Sequence, residues 1–128
     1  MSHTKLVSPH VLPETQPYWE AANQGRLIIK RCRDCGRTHH YPRAICPHCL
    51  SEQTEWVEAA GTGVVYSFST MGSGDAAYTI ALVTLDEGIT MMTHLVDCDI
   101  TQMDIGHRVR VVFKASEDGQ AVPVFTAR

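Results

Sequence analysis

The stretch Cys32-Arg33-Asp34-Cys35-Gly36, followed after nine further residues by Cys46-Pro47-His48-Cys49, decides the fold of this chain. Each half contains a Cys-x-x-Cys pair, and a pair at this spacing forms a tight turn that presents two thiolates to one metal ion. Two such turns close a tetrahedron of sulfur ligands. The ligands of the zinc site that this pattern predicts are Cys32, Cys35, Cys46 and Cys49.

The cysteine pattern has two other interpretations. A pair of disulfides or a redox pair is uncommon at such close spacing without the βαβ pattern of a thioredoxin-like fold. Iron also binds four thiolates tetrahedrally, so the sequence leaves the metal open between zinc and iron, with zinc favoured. Four thiolates leave no open coordination position, and we therefore expect a structural metal and not a catalytic one.

The composition is that of an ordinary globular chain, with 128 residues of which 44% are hydrophobic and 20% charged. No apolar run approaches the roughly 18 residues of a membrane span. Residues 1–12 show no signal-peptide pattern. We therefore expect a cytoplasmic protein without a membrane segment, in a compartment where thiols stay reduced.

The charge is divided unevenly along the chain. Residues 26–43 carry a net +5, whereas residues 44–128 carry a net −7. Four thiolates and one Zn²⁺ sum to −2, so we expect about half of the basic excess to offset the metal site. The remainder is available to an anionic partner.

The rest of the chain predicts a mainly β fold. A short helix is expected near Tyr18, Trp19 and Ala22, which share one face at helical spacing and pack on either the core or a partner. After a strand at 26–31, strands alternate with turn residues from position 55 onward. The predicted strands are 55–71 with a bend at 61–63, 77–85, 89–96, 108–114 and 121–126, with a helical turn at 99–103 and a loop at 72–75.

Five principal strands with a long first one fit a partly open OB-type barrel, with a small sandwich as the competing fold. The predicted units are an N-terminal arm and helix (1–25), a zinc ribbon (26–53) and an OB-fold domain (54–128).

No catalytic constellation stands out in the sequence. Cys98 lies between Asp97 and Asp99, and neighbouring carboxylates disfavour a reactive thiolate, so we expect a structural cysteine. His39 and His40 lie near the cysteines, but four thiolates already complete the ligand set. We expect no catalysis by this chain alone.

The segment from Tyr18 to Phe125 resembles the DUF35 family, in which a rubredoxin-like zinc ribbon is joined to an OB-fold. The cysteine pairs alone are shared with many zinc ribbons, whereas their combination with the other segments in this order is more specific. Leu50 departs from the family pattern, which usually has glycine there, and the Pro-Pro-Arg motif is reduced to Tyr41-Pro42-Arg43. The matching segments are 18–21, 25–27, 31–37, 41–43, 46–49, 56–58, 61–68, 81–88, 105–109 and 123–125.

The resemblance implies an accessory subunit of an acyl-CoA-processing complex. Similar proteins associate with thiolase-fold enzymes such as thiolases, acyltransferases and thiolase-like aldolases, and the partner holds the catalytic residues. The small subunit supports the partner and helps to wall the acyl-CoA channel. Coenzyme A carries phosphate charges, so Arg37 and Arg43 are expected acyl-CoA contacts. An exposed apolar patch is expected to contact the partner, on either the helix with Tyr18 and Trp19 or one face of the barrel.

Two other functions compete with this one. A nucleic-acid-binding module is consistent with a zinc ribbon and an OB barrel, but the sequence pI of about 6.1 and the acidic second half argue against it. A stand-alone acyl-CoA-binding protein is the third possibility.

Overall fold

The computed structural model describes residues 8–72 and 77–128, which form one α-helix, eight β-strands and a short 3₁₀ turn. Much of the predicted loop at 72–75 lies outside the described residues. None of the helices among them is long and apolar enough to cross a membrane. The elements are α1 Gln16–Asn23, β1 Ile28–Cys32, β2 Thr38–His39, β3 Thr54–Glu58, β4 Thr62–Met71, β5 Tyr78–Leu85, β6 Thr90–Leu95, the 3₁₀ turn Ile100–Gln102, β7 Arg108–Ala115 and β8 Ala121–Ala127.

Strands β4 to β8 close into a barrel in the order β4-β5-β6-β8-β7. The pairs are antiparallel except for β6 and β8, which run parallel where Leu95 lies opposite Phe125. Strand β4 closes the barrel because its first residues also pair with β7. The closed five-stranded barrel confirms the predicted OB-type fold over the sandwich.

Two glycines allow β4 to pass between its two neighbours. A Cβ on Gly63 would lie 2.4 Å from the carbonyl oxygen of Thr84, so no side chain fits where β4 meets β5. A Cβ on Gly61 would lie 2.6 Å from Cγ1 of Val111. The register between β4 and β5 shifts from Val65 to Ser67, which leaves Tyr66 of β4 as the extra residue of a bulge.

A second, three-stranded sheet in the order β2-β1-β3 carries the zinc ribbon. We predicted that residues 55–59 open the barrel, and this was wrong, since β3 pairs with β1 from Ile28 opposite Glu58 to Cys32 opposite Thr54. The chain turns at Gly61, where φ is +80°, before β4 begins. The division into 1–25, 26–53 and 54–128 stays a prediction.

One apolar core joins the helix, the base of the ribbon and the barrel. Its fully buried side chains include Ile29 from β1, Val83 from β5 and Phe125 from β8. Strand β1 therefore enters the core at one end and supplies the ligand Cys32 at the other. The core fixes the base of the ribbon relative to the barrel.

The helix holds the loop after β2 through aromatic contacts. Tyr18 and Trp19 are 2% and 7% exposed, which places the predicted apolar face in the core. The Tyr18 hydroxyl lies 2.9 Å from Nε2 of His40, and Trp19 Nε1 donates to the Tyr41 hydroxyl at 3.3 Å. Burial raises the pKa of Tyr18 and lowers the pKa of His40 to about 4, so both are neutral at pH 7.

Stability is predicted to fall as the pH drops from about 6.5 toward 4. The pKa of His40 in the folded protein lies below its unfolded value. Its contribution to the free energy of unfolding is therefore present above pH 6.5 and is lost as the pH falls and the unfolded state binds a proton more readily. Urea unfolding of the zinc-loaded protein should lose about 2 kcal/mol between pH 7 and pH 5 through this residue.

The His40→Gln variant should show a smaller loss over the same pH range, whereas His10→Gln, which changes an exposed histidine, should behave like the parent protein. Metal content is measured at both pH values to separate this effect from zinc release. An unchanged pH dependence in His40→Gln would contradict the assignment.

Candidate metal centre

Strand pairing and two turns bring the four predicted cysteines together. Their sulfur atoms all lie within 4.8 Å of one another. The Sγ atoms of Cys32 and Cys49 are 3.6 Å apart, and those of Cys35 and Cys46 are 3.7 Å apart. A tetrahedron with zinc–sulfur bonds of about 2.3 Å has edges of about 3.8 Å, so these separations fit one tetrahedral ion. A disulfide requires about 2 Å, which none of the pairs approaches.

The two Cys-x-x-Cys turns have the same backbone geometry. In the first, the amide of Gly36 donates to the Cys32 carbonyl at 2.9 Å, and in the second the amide of Leu50 donates to the Cys46 carbonyl at 2.9 Å. Cys32 and Cys46 are fully buried, whereas Cys35 and Cys49 are exposed. Each turn therefore supplies one buried and one exposed thiol.

Leu50 adopts a conformation that favours glycine. Its φ is +66°, close to the +75° of Gly36 at the equivalent position of the first turn. A left-handed conformation costs a residue with a side chain about 1–2 kcal/mol. Leu50 therefore replaces the usual glycine at the cost of backbone strain, and the hydrogen bond of the turn stays intact.

Backbone amides prepare the sulfurs for a metal. The amide of Cys35 approaches the Cys32 sulfur at 3.5 Å, and the amide of His48 approaches the Cys46 sulfur at 3.4 Å. The hydrogen bond from the Cys35 amide lowers the pKa of Cys32, which favours the thiolate there. At Cys49 the Ser51 backbone acts in the same direction, but the contacts with the other three thiols outweigh it and raise the pKa. The donor set and its spacing thus fit a closed four-thiolate metal site, and zinc there would fix the ribbon without offering a position to substrate.

Arg37 and Arg43, the predicted acyl-CoA contacts, both lie exposed on the ribbon. Within residues 8–72 and 77–128 neither forms an ion pair. Only Arg37 faces the cleft between the ribbon and the β5–β6 turn. The expected partner contacts Tyr18 and Trp19 are covered by the chain's own residues, which leaves little of either side chain for another protein.

The cleft beside Arg37 measures about 620 Å³ and was not predicted from the sequence. Two side chains on its walls contain buried polar atoms without a hydrogen-bond partner among the described residues. They are Oε1 of Glu87 and the ring nitrogens of His39, whose ring lies close enough to the Arg43 backbone to interact with it electrostatically. The second carboxylate oxygen of Glu87 accepts from the Ala60 amide at 2.9 Å. The proximity of His39 and Glu87 could not be predicted from the sequence, because 48 positions separate the two residues.

Three further side chains that could carry chemistry are Cys98, His48 and His94. Cys98 is half-buried and packs against the core. His48 is exposed beside the metal ligands, and His94 stacks on Tyr78 with ring centroids 5.8 Å apart.

Loss of one ligand should release the metal. Cys35→Ser is predicted to weaken zinc binding by more than about 100-fold, since even substitution of a residue that only hydrogen-bonds to a metal ligand costs about 10–100-fold. Cys98→Ser is the matched control and should keep full zinc occupancy. Competition with a chelator measures both variants, and equal zinc affinity in the two would rule out Cys35 as a ligand.

Leu50→Gly should stabilise the second turn. Glycine removes the left-handed strain but adds chain entropy to the unfolded state, so the free energy of unfolding should rise by up to about 1 kcal/mol. Ile105→Gly, a similarly exposed residue without a positive φ, should instead lose about 1 kcal/mol. Urea unfolding of both zinc-loaded variants compares them. Equal losses in the two would contradict the strain at Leu50.

Two family models match consecutive parts of the chain. The ChsH2 rubredoxin-like zinc ribbon domain matches residues 19–55, and the ChsH2 C-terminal OB-fold domain matches residues 56–114. The boundary between them falls within β3, the strand that completes the ribbon sheet.

Curated relatives of very different length are similar to this chain in sequence. A probable enoyl-CoA hydratase alpha subunit from Thermomonospora curvata is 38% identical over 113 residues, which are 84% of this chain and 35% of that protein. The chain therefore spans about a third of the length of that relative. A DUF35 domain-containing scaffold protein from Methanothermobacter thermautotrophicus is 31% identical over 119 residues, which cover 86% of this chain and 90% of that protein.

A solved structure extends the likeness to the whole fold. A chain of the Ltp2-ChsH2(DUF35) aldolase superposes with a TM-score of 0.81 at 36% sequence identity, and the match covers 94% of this chain and 98% of that one. The cysteine tetrahedron, the ribbon sheet and the closed barrel agree with these matches, and the chain belongs to the DUF35 family.

Proposed function

We propose that this protein is a non-catalytic accessory subunit of an acyl-CoA-processing complex, in which it supports a thiolase-fold enzyme. The observation that carries the proposal is the near-complete structural match to a chain of an aldolase assembly that contains a DUF35 component. The likeness to a hydratase alpha subunit supports the same class of substrate. The reduced thiols that the metal requires suit the cytoplasm.

The closed metal site supports a role without chemistry of its own. Four thiolates complete the coordination of one zinc ion, so a water or substrate has no position at which the metal would activate it. In this proposal the metal stiffens the ribbon, and the reacting groups belong to the partner.

The cleft beside the ribbon is the proposed acyl-CoA contact. Arg37 offers a guanidinium group suited to a phosphate of coenzyme A. His39 could donate to the ligand, whereas Glu87 Oε1 only accepts and would need a hydroxyl or N–H group of the ligand rather than its phosphate. Arg43 lies on the same ribbon but does not line the cleft, so its contact would come from outside it.

The direct test is purification of the tagged protein from its native cell, followed by identification of the associated chain by mass spectrometry. A stoichiometric thiolase-fold partner, with acyl-CoA turnover by the complex and none by the isolated subunit, is the expected result. A monomer without a partner that binds acyl-CoA by itself would overturn the proposal. Tight and steeply salt-dependent binding of single-stranded DNA would favour the nucleic-acid alternative.

Arg37→Ala should weaken acyl-CoA binding by the reconstituted complex about 10-fold or more, because a charge-assisted hydrogen bond contributes about 1.5–3 kcal/mol. Arg43→Ala should have a smaller effect, and Arg110→Ala on the barrel should have none. Isothermal titration with acyl-CoA measures all three, and zinc content shows that the ribbon is intact. Unchanged affinity in both ribbon variants would remove the contact.

A further inference from the structure

Three neighbouring barrel strands form a sheet without any charged residue. Strands β4, β5 and β6 contain 10, 8 and 6 residues, and none of them is Lys, Arg, Asp or Glu. By contrast, the 8 residues of β7 include Arg108, Arg110 and Lys114. The outer side of β4, β5 and β6 is called the uncharged face below.

The strand registers gather large apolar side chains on the uncharged face. In β5, buried residues alternate with half-buried ones, so Ile80 and Leu82 point away from the core. Leu82 lies opposite Met92 on β6, and Met71 on β4 lies opposite Tyr78. These pairings make the apolar side chains neighbours on one surface.

Three large side chains of the uncharged face are exposed to solvent. Met92 is 69% exposed and Tyr66 is 64% exposed, and Met71 is 44% exposed. Tyr66 is the extra residue of the β4 bulge, and a bulge redirects a side chain out of the regular alternation. Exposed aromatic and methionine side chains grouped on one face are typical of protein–protein interfaces.

The absence of charge decides which class of partner fits. Nucleic acid binds OB barrels through basic side chains that neutralise phosphates, and the uncharged face has none to offer. A membrane surface with anionic headgroups would require the same bases. An apolar protein surface needs none.

Charged residues of both signs border the uncharged face. Asp86, where β5 turns into β6, forms an ion pair with Arg108, and Asp97, after the other end of β6, forms one with Lys114. The charges at the border therefore favour neither a second copy nor a different protein. The superposed solved chain belongs to an aldolase assembly that also contains an Ltp2 component, and this likeness favours a different protein as the occupant.

We propose that the uncharged face is the docking surface for the enzyme subunit, with Tyr66, Leu82 and Met92 at its centre. This rests on the proposed function, because it assigns the surface through which the accessory subunit holds its partner. It places the interface on the barrel, where the uncharged face meets the ribbon cleft at Thr90, the first residue of β6.

Hydroxyl-radical footprinting of the wild-type complex tests the assignment without a mutation. Oxidation of Met92 and Met71 should fall at least about 5-fold when the copurified partner is bound, because the interface excludes solvent. Met91, which is 3% exposed, and Ile105, which is 72% exposed but off the face, should not change. Unchanged oxidation of Met92 in a formed complex would overturn the docking assignment and leave the proposed function standing.

Two substitutions give an independent measurement. Met92→Asp should weaken partner binding about 100-fold and Tyr66→Ala at least 10-fold, whereas Ile105→Asp should bind like the parent protein. Zinc content and thermal unfolding confirm that each variant is folded. If the isolated protein is a dimer that Met92→Asp dissociates, the face pairs with a second copy and the assignment is wrong. If the wild-type protein binds no other subunit, the proposed function fails together with it.

Discussion

Four thiolates around one metal ion are the constraint on which the ribbon depends. The ribbon has few apolar side chains of its own, and its two turns meet at the four sulfurs and at the hydrogen bond that Ser51 Oγ donates to Asp34. Strand β1 links this point to the rest of the molecule, since Ile28 and Ile29 are buried in the core and Cys32 is a ligand on the same strand. Metal coordination and hydrophobic packing thus act at the two ends of one five-residue strand.

A second constraint holds the far side of the ribbon. The Tyr18 and Trp19 side chains of the helix hydrogen-bond to His40 and Tyr41, in the loop between the two cysteine pairs. Burial keeps both partners of the first of these hydrogen bonds neutral, so it is made without a charge in the interior. The ribbon is therefore fixed by metal, by strand pairing and by the helix, which leaves a defined cleft against the barrel.

The parts of the fold that sequence reasoning predicted well depend on local spacing. The four ligands follow from two Cys-x-x-Cys pairs, and the barrel follows from alternation and turn residues along the chain. The assignment of residues 55–59 failed because alternation identifies a strand but not its partner, and β1 lies far back in the sequence. The aromatic contacts with His40, and the cleft with His39 and Glu87, escaped prediction for the same reason. They join residues 22 and 48 positions apart.

The distribution of charge connects these parts to the proposed role. Basic side chains cluster on the ribbon, where a metal site of net −2 would attract them. The uncharged strands lie on the barrel, and the ion pairs Arg108–Asp86 and Lys114–Asp97 border them. The chain therefore has a basic surface and an uncharged one, and the proposed accessory role would use both.

Native mass spectrometry of the freshly isolated protein tests the central claim most directly. The account predicts one metal ion per chain, with a mass that corresponds to four deprotonated thiols at Cys32, Cys35, Cys46 and Cys49. A metal-free chain whose mass shows two disulfides among these cysteines would contradict it, because the ribbon would then be held by a different chemistry.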